Sequence, residues 1–247
     1  MKVALITGGN RGVGKSAAIH VAKRGLGVIL TYNSHPEEAE LVVSEIWDKG
    51  GQAVALPLDV SNISSFGNFA DLVKQALQNE WKQETLNCLV NNAGIAQRTA
   101  IKDLSEDLFD QLVNVHFKGP VFLTQKLLPL MAEGGHIVNI STAMTRVASP
   151  AGTSIYSSAK GAMEVFTRFA AREFAERKIR CNTIAPGALD TEFGGGRTDE
   201  MRKRLGETTV AGRMGQAEDI GPLIAALLSD EFLWVDGQRI EATGGPL

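Results

Sequence analysis

Cysteine is scarce: the 247 residues hold two, Cys88 and Cys181. Each sits inside a short apolar run, so both read as small buried hydrophobes and not as a disulfide framework. Basic blocks are lacking too. The densest cluster, Arg202-Lys203-Arg204, follows Asp199 and Glu200 and reads as a solvated helix face. With a net charge of -3 and a pI near 5.9, the chain carries no electrostatic footprint for nucleic acid. No apolar run approaches a membrane span. Met1-Lys2-Val3-Ala4-Leu5-Ile6 runs straight into a glycine turn, which leaves no room for a signal-peptide core and cleavage site. The expected compartment is a reducing cytoplasm. His20, His35, His116 and His136 show no metal-ligand spacing with cysteines or carboxylates, so no metal is expected.

What is present is a core-forming composition, 44% hydrophobic and 21% charged, laid out as an alternation. Short runs apolar throughout (Val3–Ile6, Val28–Tyr32, Ala53–Leu56, Leu86–Val90, His136–Ile140, Ile179–Ile184 and a final 237–242) read as strands. Helical patterns lie between them: a first from about Ala17, then Pro36–Trp47, Ser61–Leu77, Ser105–Met131 with a break near Gly119-Pro120, Ile155–Glu176 and Ala217–Leu228. Strands without polar alternation, separated by helices, predict an α/β fold: a single-domain, doubly wound, seven-stranded parallel sheet with helices on both faces, spanning 1–247. Phe66, Phe69, Phe166 and Phe169 fall at helical spacing and read as core. Gly194-Gly195-Gly196 and the polar stretch around it, about 190–210, form the one irregular insertion. It follows the carboxyl end of the sixth strand, where ligands of open α/β sheets bind, and is read as a substrate lid.

Thr7-Gly8-Gly9-Asn10-Arg11-Gly12-Val13-Gly14 joins the first strand to the first helix. Glycines there allow a tight turn and a close backbone approach to a pyrophosphate, and the helix N-terminus adds free N–H groups and a positive dipole end. The same stretch matches a second string, Gly9-x-x-x-x-Gly14-Lys15-Ser16, the pattern of a nucleoside-triphosphate loop. That reading needs an acid on a neighbouring strand, and Asp59 is the candidate. Further on, Tyr156-Ser157-Ser158-Ala159-Lys160 sets a phenol and an ammonium four residues apart on one helix face. A neighbouring ammonium favours phenolate, and a phenol so tuned can pass a proton to a carbonyl or take one from an alcohol.

Together Thr7-Gly8-x-x-x-Gly12-x-Gly14, Asn91-Asn92-Ala93-Gly94, Asn114, Ile140-Ser141-Thr142, Tyr156-x-x-x-Lys160 and Pro186-Gly187-x-x-x-Thr191 resemble, in order and spacing, the short-chain dehydrogenase/reductases over the whole chain. The resemblance explains the glycine string better than a triphosphate loop does. It implies hydride transfer between a nicotinamide cofactor and a small carbonyl or alcohol substrate. Tyr156 would be the acid–base. Lys160 would hold the nicotinamide ribose and lower the tyrosine's pKa, and Asn114 would hold a relay water. Gly8, Asn10, Arg11, Gly12, Val13 and Gly14 would cradle the phosphates. Asp59 and Val60 would meet the adenine. Asn92, Ala93 and Gly94 would line the cofactor, and Pro186, Gly187, Leu189 and Thr191 would border the nicotinamide. The chain departs from the family where a serine is usual: Thr142 stands there, with Ser141 before it as the alternative hydroxyl.

NADP(H) is expected in preference to NAD(H). Tyr32 aligns with the acidic position that NAD enzymes use for the ribose 2′-OH, and no carboxylate follows until Glu37. Asn33, Ser34 and Arg11 can serve a 2′-phosphate; as plain structure, Asn33-Ser34 would cap the helix from Pro36. The resemblance also implies a homotetramer or homodimer, and the helix from Ile155 carries more apolar positions than one buried stripe needs. A cofactor-binding regulator or scaffold without turnover is the alternative on the same fold.

Overall fold

The computed structural model describes residues 1–148 and 152–245. In chain order the main elements are β1 (Val3–Ile6), α1 (Gly12–Lys23), β2 (Gly27–Tyr32), α2 (Pro36–Asp48), β3 (Ala53–Pro57), α3 (Phe66–Trp81), β4 (Leu86–Asn91), α4 (Glu106–Val113), α5 (Gly119–Leu127), β5 (Met131–Ile140), α6 (Ser154–Glu173), β6 (Arg180–Pro186), α7 (Asp199–Gly206), α8 (Ala217–Leu227) and β7 (Arg239–Ala242). As expected, the described strands form one seven-stranded parallel sheet; their order is β3-β2-β1-β4-β5-β6-β7.

Each strand feeds two cores because successive side chains point to opposite faces. Val3 and Leu5 of β1 join Ile29, Phe66 and Leu123 on one side, while Ala4 and Ile6 join Ala17, Val42 and Ile224 on the other. Both cysteines are free and buried, in β4 and β6. Helices α1 and α8 pack closely enough that a Cβ on Gly221 would lie 2.2 Å from Ser16 Oγ. The chain reverses its winding between β1 and β4, which opens a crevice at the carboxyl ends of the strands. Among the described residues no helix is long and apolar enough to cross a membrane.

The structure adds detail to the expected elements, and β5 begins at Met131 and not at His136. Helix α3 starts at Phe66 and not at Ser61, because Asp59 Oδ1 accepts from both the N–H and the hydroxyl of Ser61, at 2.9 and 2.7 Å, and a 3₁₀ turn follows. The break near Gly119-Pro120 is a π-helical turn over Asn114–Lys118, whose Asn114 carbonyl accepts from the Gly119 N–H five residues on. A Cβ at Gly119 would lie 1.9 Å from Val60 O, so only glycine lets this helix approach the chain after β3. The insertion after β6 is not wholly irregular. Its Thr198 caps α7, with Oγ1 accepting from Met201 N–H at 3.3 Å. Phe66 and Phe69 are core, but Phe169 is not: it is 62% exposed.

Candidate active site

The glycine turn is held from outside. Asn92 Nδ2 donates to the carbonyls of Thr7 (2.9 Å) and Gly8 (3.1 Å). Thr7 Oγ1 accepts from the N–H groups of Asn92 (2.9 Å) and Ala93 (3.0 Å). Gly8 takes a positive φ of 63°, and a Cβ on Gly14 would lie 2.0 Å from Gly8 O. Among the described residues no side chain caps α1 at Arg11, and its first turn carries no acid. A helix of 12 residues thus begins with unclaimed N–H donors facing a cradle that a Cβ would fill, which suits a dinucleotide's pyrophosphate. Asn10 is engaged elsewhere: its Nδ2 donates to Glu38 of α2 at 2.8 Å.

The triphosphate-loop reading fails on this geometry. Lys15 Nζ lies 3.0 Å from Glu45 of α2, and Ser16 Oγ is buried against α8 with no partner among the described residues. Neither faces the turn's open side, and Asp59 is occupied with Ser61.

Asn33 and Asp59 line one cleft of about 300 Å³ beyond the ends of β2 and β3. Tyr32 is half-buried, and Asn33, Ser34 and Arg11 are exposed. Neither Asn33 nor Ser34 caps α2; His35 holds that position, in the left-handed region at φ 62°. Val60 is buried and presents its carbonyl to Gly119. At the far end of the crevice, Pro186 closes β6 and Gly187 N–H donates to Ala242 O at 3.0 Å. Leu189 bridges to Gly215, and Thr191 Oγ1 accepts from Phe193 N–H at 3.4 Å.

Tyr156 and Lys160 lie in the first two turns of α6, one helical turn apart. Burial pushes the Tyr156 phenol up to about 12, partly offset by a hydrogen bond with the Thr142 side chain. The expected lowering by Lys160 is absent from this balance. Burial brings Lys160 itself down to about 8, and its Nζ donates to Ile140 O at 2.6 Å. The two hydroxyls after β5 part company. Thr142 Oγ1 accepts from Met144 N–H at 3.3 Å, and its hydroxyl is the group that pulls the Tyr156 phenol down. Ser141 Oγ donates to Glu164 Oε1 at 2.6 Å and lies 3.4 Å from Lys160 O. Ser141 Oγ is thus committed to the Glu164 carboxylate, while Thr142 is the hydroxyl beside the phenol.

Asn114 stands where α4 gives way to the π-helical turn, so its backbone is part of the widened coil. That turn also delivers His116, for which the sequence offered no role. The His116 ring meets Tyr156 edge to face, with centroids 4.9 Å apart. Its Nε2 lies 2.9 Å from Ile95 O, a group that only accepts, so Nε2 carries the proton. Its Nδ1 is buried without a partner among the described residues, and a Cβ on Gly94 would lie 2.9 Å from Cε1. Burial, then the Lys160 charge, push His116 down to about 3, so the ring is neutral. Phe193 of the insertion lies 6.4 Å from Tyr156. A lone histidine or phenylalanine carries no motif; only the fold brings these rings to the tyrosine.

The arrangement combines a dinucleotide turn, a buried phenol with a hydroxyl partner, and an ammonium one turn away. A family model described as Enoyl-(Acyl carrier protein) reductase matches residues 8–246. An uncharacterized oxidoreductase of Methylorubrum extorquens is 37% identical over 99% of this chain and 97% of its own. The solved angucycline C-6 ketoreductase LanV with bound NADP superposes with a TM-score of 0.94 at 30% identity, covering 99% of this chain and 95% of its own. A short chain dehydrogenase of Burkholderia cenocepacia in complex with NADP gives 0.91 at 30% identity, with coverages of 99% and 97%. Motifs, site geometry and whole-length likeness agree, and the chain belongs to the short-chain dehydrogenase/reductase family.

Proposed function

We propose that this oxidoreductase is an NADP(H)-dependent ketoreductase, able to oxidise the matching alcohol in reverse. The observation that carries this is the pairing of a buried Tyr156 with Lys160 one turn further along α6, set beside the dinucleotide turn held by Asn92. The bound nicotinamide would supply or accept the hydride. With its pKa near 12 the phenol is protonated at neutral pH, ready to donate to a carbonyl oxygen held beside it. Thr142 orients that proton and supports the phenolate left behind. Lys160 holds the nicotinamide ribose, and Asn114 holds the water through which solvent replaces the proton. Gly8, Gly12, Val13 and Gly14 hold the pyrophosphate, with Asn10 at the turn's edge beside Glu38. Arg11, Tyr32, Asn33 and Ser34 meet the 2′-phosphate, and Asp59 and Val60 the adenine. Asn92, Ala93, Gly94, Pro186, Gly187, Leu189 and Thr191 flank the nicotinamide. LanV and the Burkholderia relative hold NADP, which supports the cofactor assignment.

The segment 190–210 acts as the substrate lid, with Phe193 already against Tyr156. The enzyme works in the cytoplasm as a homotetramer, with a homodimer next. Val165 and Phe169 on α6 are 45% and 62% exposed and Trp234 is 99% exposed, which supports two separate contacts. A panel of ketones, aldehydes and alcohols followed by NADPH absorbance tests the activity. NADPH binding without turnover across the panel would leave the non-catalytic reading in its place. Light scattering tests the assembly; a monomer at micromolar concentration would refute it.

A further inference from the structure

Behind Thr142 lies a buried ion pair that the hydride chemistry does not use. Arg239 Nε donates to Glu164 Oε1 at 2.8 Å, with side chains only 8% and 11% exposed. The same oxygen accepts from Ser141 Oγ at 2.6 Å and Thr145 Oγ1 at 2.8 Å. Arg239 Nη2 reaches Thr142 O at 3.2 Å and Thr145 Oγ1 at 3.0 Å, and Nη1 contacts Glu241. One carboxylate oxygen and one guanidinium therefore grip both ends of the turn that presents Thr142.

The two anchors come from different elements. Glu164 lies one turn beyond Lys160 and two beyond Tyr156 on α6, and so shares a rigid rod with the phenol. Arg239 opens β7, in register with Thr183 of β6. A pair serving only to staple β7 to α6 has no need to reach the Thr142 carbonyl or the Ser141 hydroxyl. We infer that Glu164 and Arg239 are positioning residues that fix the Thr142 hydroxyl against Tyr156. This rests on the roles proposed above for those two side chains. Charged, forked contacts hold geometry better than neutral ones, and a misplacement of about 1 Å at a reacting group costs on the order of 10²-fold in rate.

The test uses Glu164→Gln, Arg239→Met and the double variant, each in wild-type and Thr142→Val backgrounds. Measurements are Tm, NADPH Kd, kcat and KM for a ketone the wild type reduces, and the NMR signals of ¹³C-labelled tyrosine. Tyr32 and Tyr156 are the chain's two tyrosines, so Tyr156→Phe assigns them. Each single variant is expected to lower kcat by about ten- to a hundred-fold and leave NADPH Kd within about twofold. Removing one partner strands a buried charge and lowers Tm; removing both recovers Tm, and kcat stays low. In the Thr142→Val background the further loss in kcat falls below about threefold, since residues acting as one unit are not additive. The Tyr156 signal shifts alike in Glu164→Gln and Thr142→Val while Tyr32 stays put. If single variants fail to fold, the double variant carries every readout. Recovery of kcat along with Tm, or multiplicative losses with Thr142→Val, overturns the inference. An unmoved Tyr156 signal overturns it even if the wild type reduces no ketone, a result that would instead refute the proposed function.

Discussion

Replacing Thr142 with valine exchanges Oγ1 for a methyl group of similar size and tests which hydroxyl serves the phenol. The 3.3 Å cap on Met144 N–H goes, and with it the hydroxyl that pulls the Tyr156 phenol down. Losing a cap of this kind costs about 1 kcal/mol, or about 2–4 °C in Tm for a chain of this size. Losing a donor aimed at charge developing in the transition state costs about 10²–10³ in kcat. Ser141→Ala reverses the balance. It removes a 2.6 Å hydrogen bond to the Glu164 carboxylate, worth about 1.5–3 kcal/mol because the acceptor is charged. Thr145 and Arg239 still hold that carboxylate, and the hydroxyl touches no reacting group, so kcat should stay within about threefold. The two variants therefore rank oppositely: valine at 142 spares Tm and loses rate, alanine at 141 loses Tm and spares rate. Thermal melts and NADPH oxidation with one ketone measure both axes. A dead Ser141→Ala beside an active Thr142→Val would refute the assignment.

Tyr156→Phe should bind NADPH as the wild type does and lose about 10²–10⁴ in turnover, read by fluorescence titration and steady-state kinetics. The kcat/KM ratio for NADPH over NADH should exceed one and fall in Arg11→Ala; a wild-type ratio below one would refute the 2′-phosphate assignment. Stability should depend on pH through His116 and His136, each pushed by burial down to about 3. An unfolded histidine titrates near 6.5, so below that value the unfolded chain binds protons that the folded chain refuses. Their stabilisation is whole above about pH 6.5 and is lost as the pH falls toward 3, by about 1 kcal/mol per histidine per pH unit. Urea midpoints between pH 7.5 and 4.5 check this, and a flat series would show that the rings are not held neutral.

The sheet was legible because its strands are buried on both faces. Val3–Ile6 and Leu86–Val90 carry no polar alternation that could be mistaken for anything else. Boundaries were less so where side chains compete with the helix, as Asp59 and Ser61 do ahead of α3. Helix α7 has hardly an apolar residue, so its charge pattern, Asp199-Glu200 followed by Arg202-Lys203-Arg204, announced it and hydrophobic periodicity did not; Thr198 caps it and Arg202 pairs with Asp190. In the site, motifs within a few residues of each other were readable, and the Tyr156–Lys160 pair falls on one face as its spacing requires. The electrostatics were not. Whether Lys160 lowers the phenol depends on where its Nζ points and how much water both groups lose, and burial dominates here. Glu164 and Arg239 are 75 residues apart, and Glu38 reaches Asn10 from the next helix; neither meeting has a local signature.

The hold of Thr7 and Asn92 on each other has a thermodynamic consequence for the cofactor. Four hydrogen bonds join the glycine turn to the segment after β4, so the two halves of the crevice that a dinucleotide would span are already one part. Binding then has little backbone to order and keeps most of its contact energy. Calorimetry should show a heat-capacity change that follows the buried area alone, without the larger signature of coupled folding. Asn92→Ala would release two carbonyls of the turn and pass that ordering to the ligand, appearing first as a more unfavourable entropy of binding.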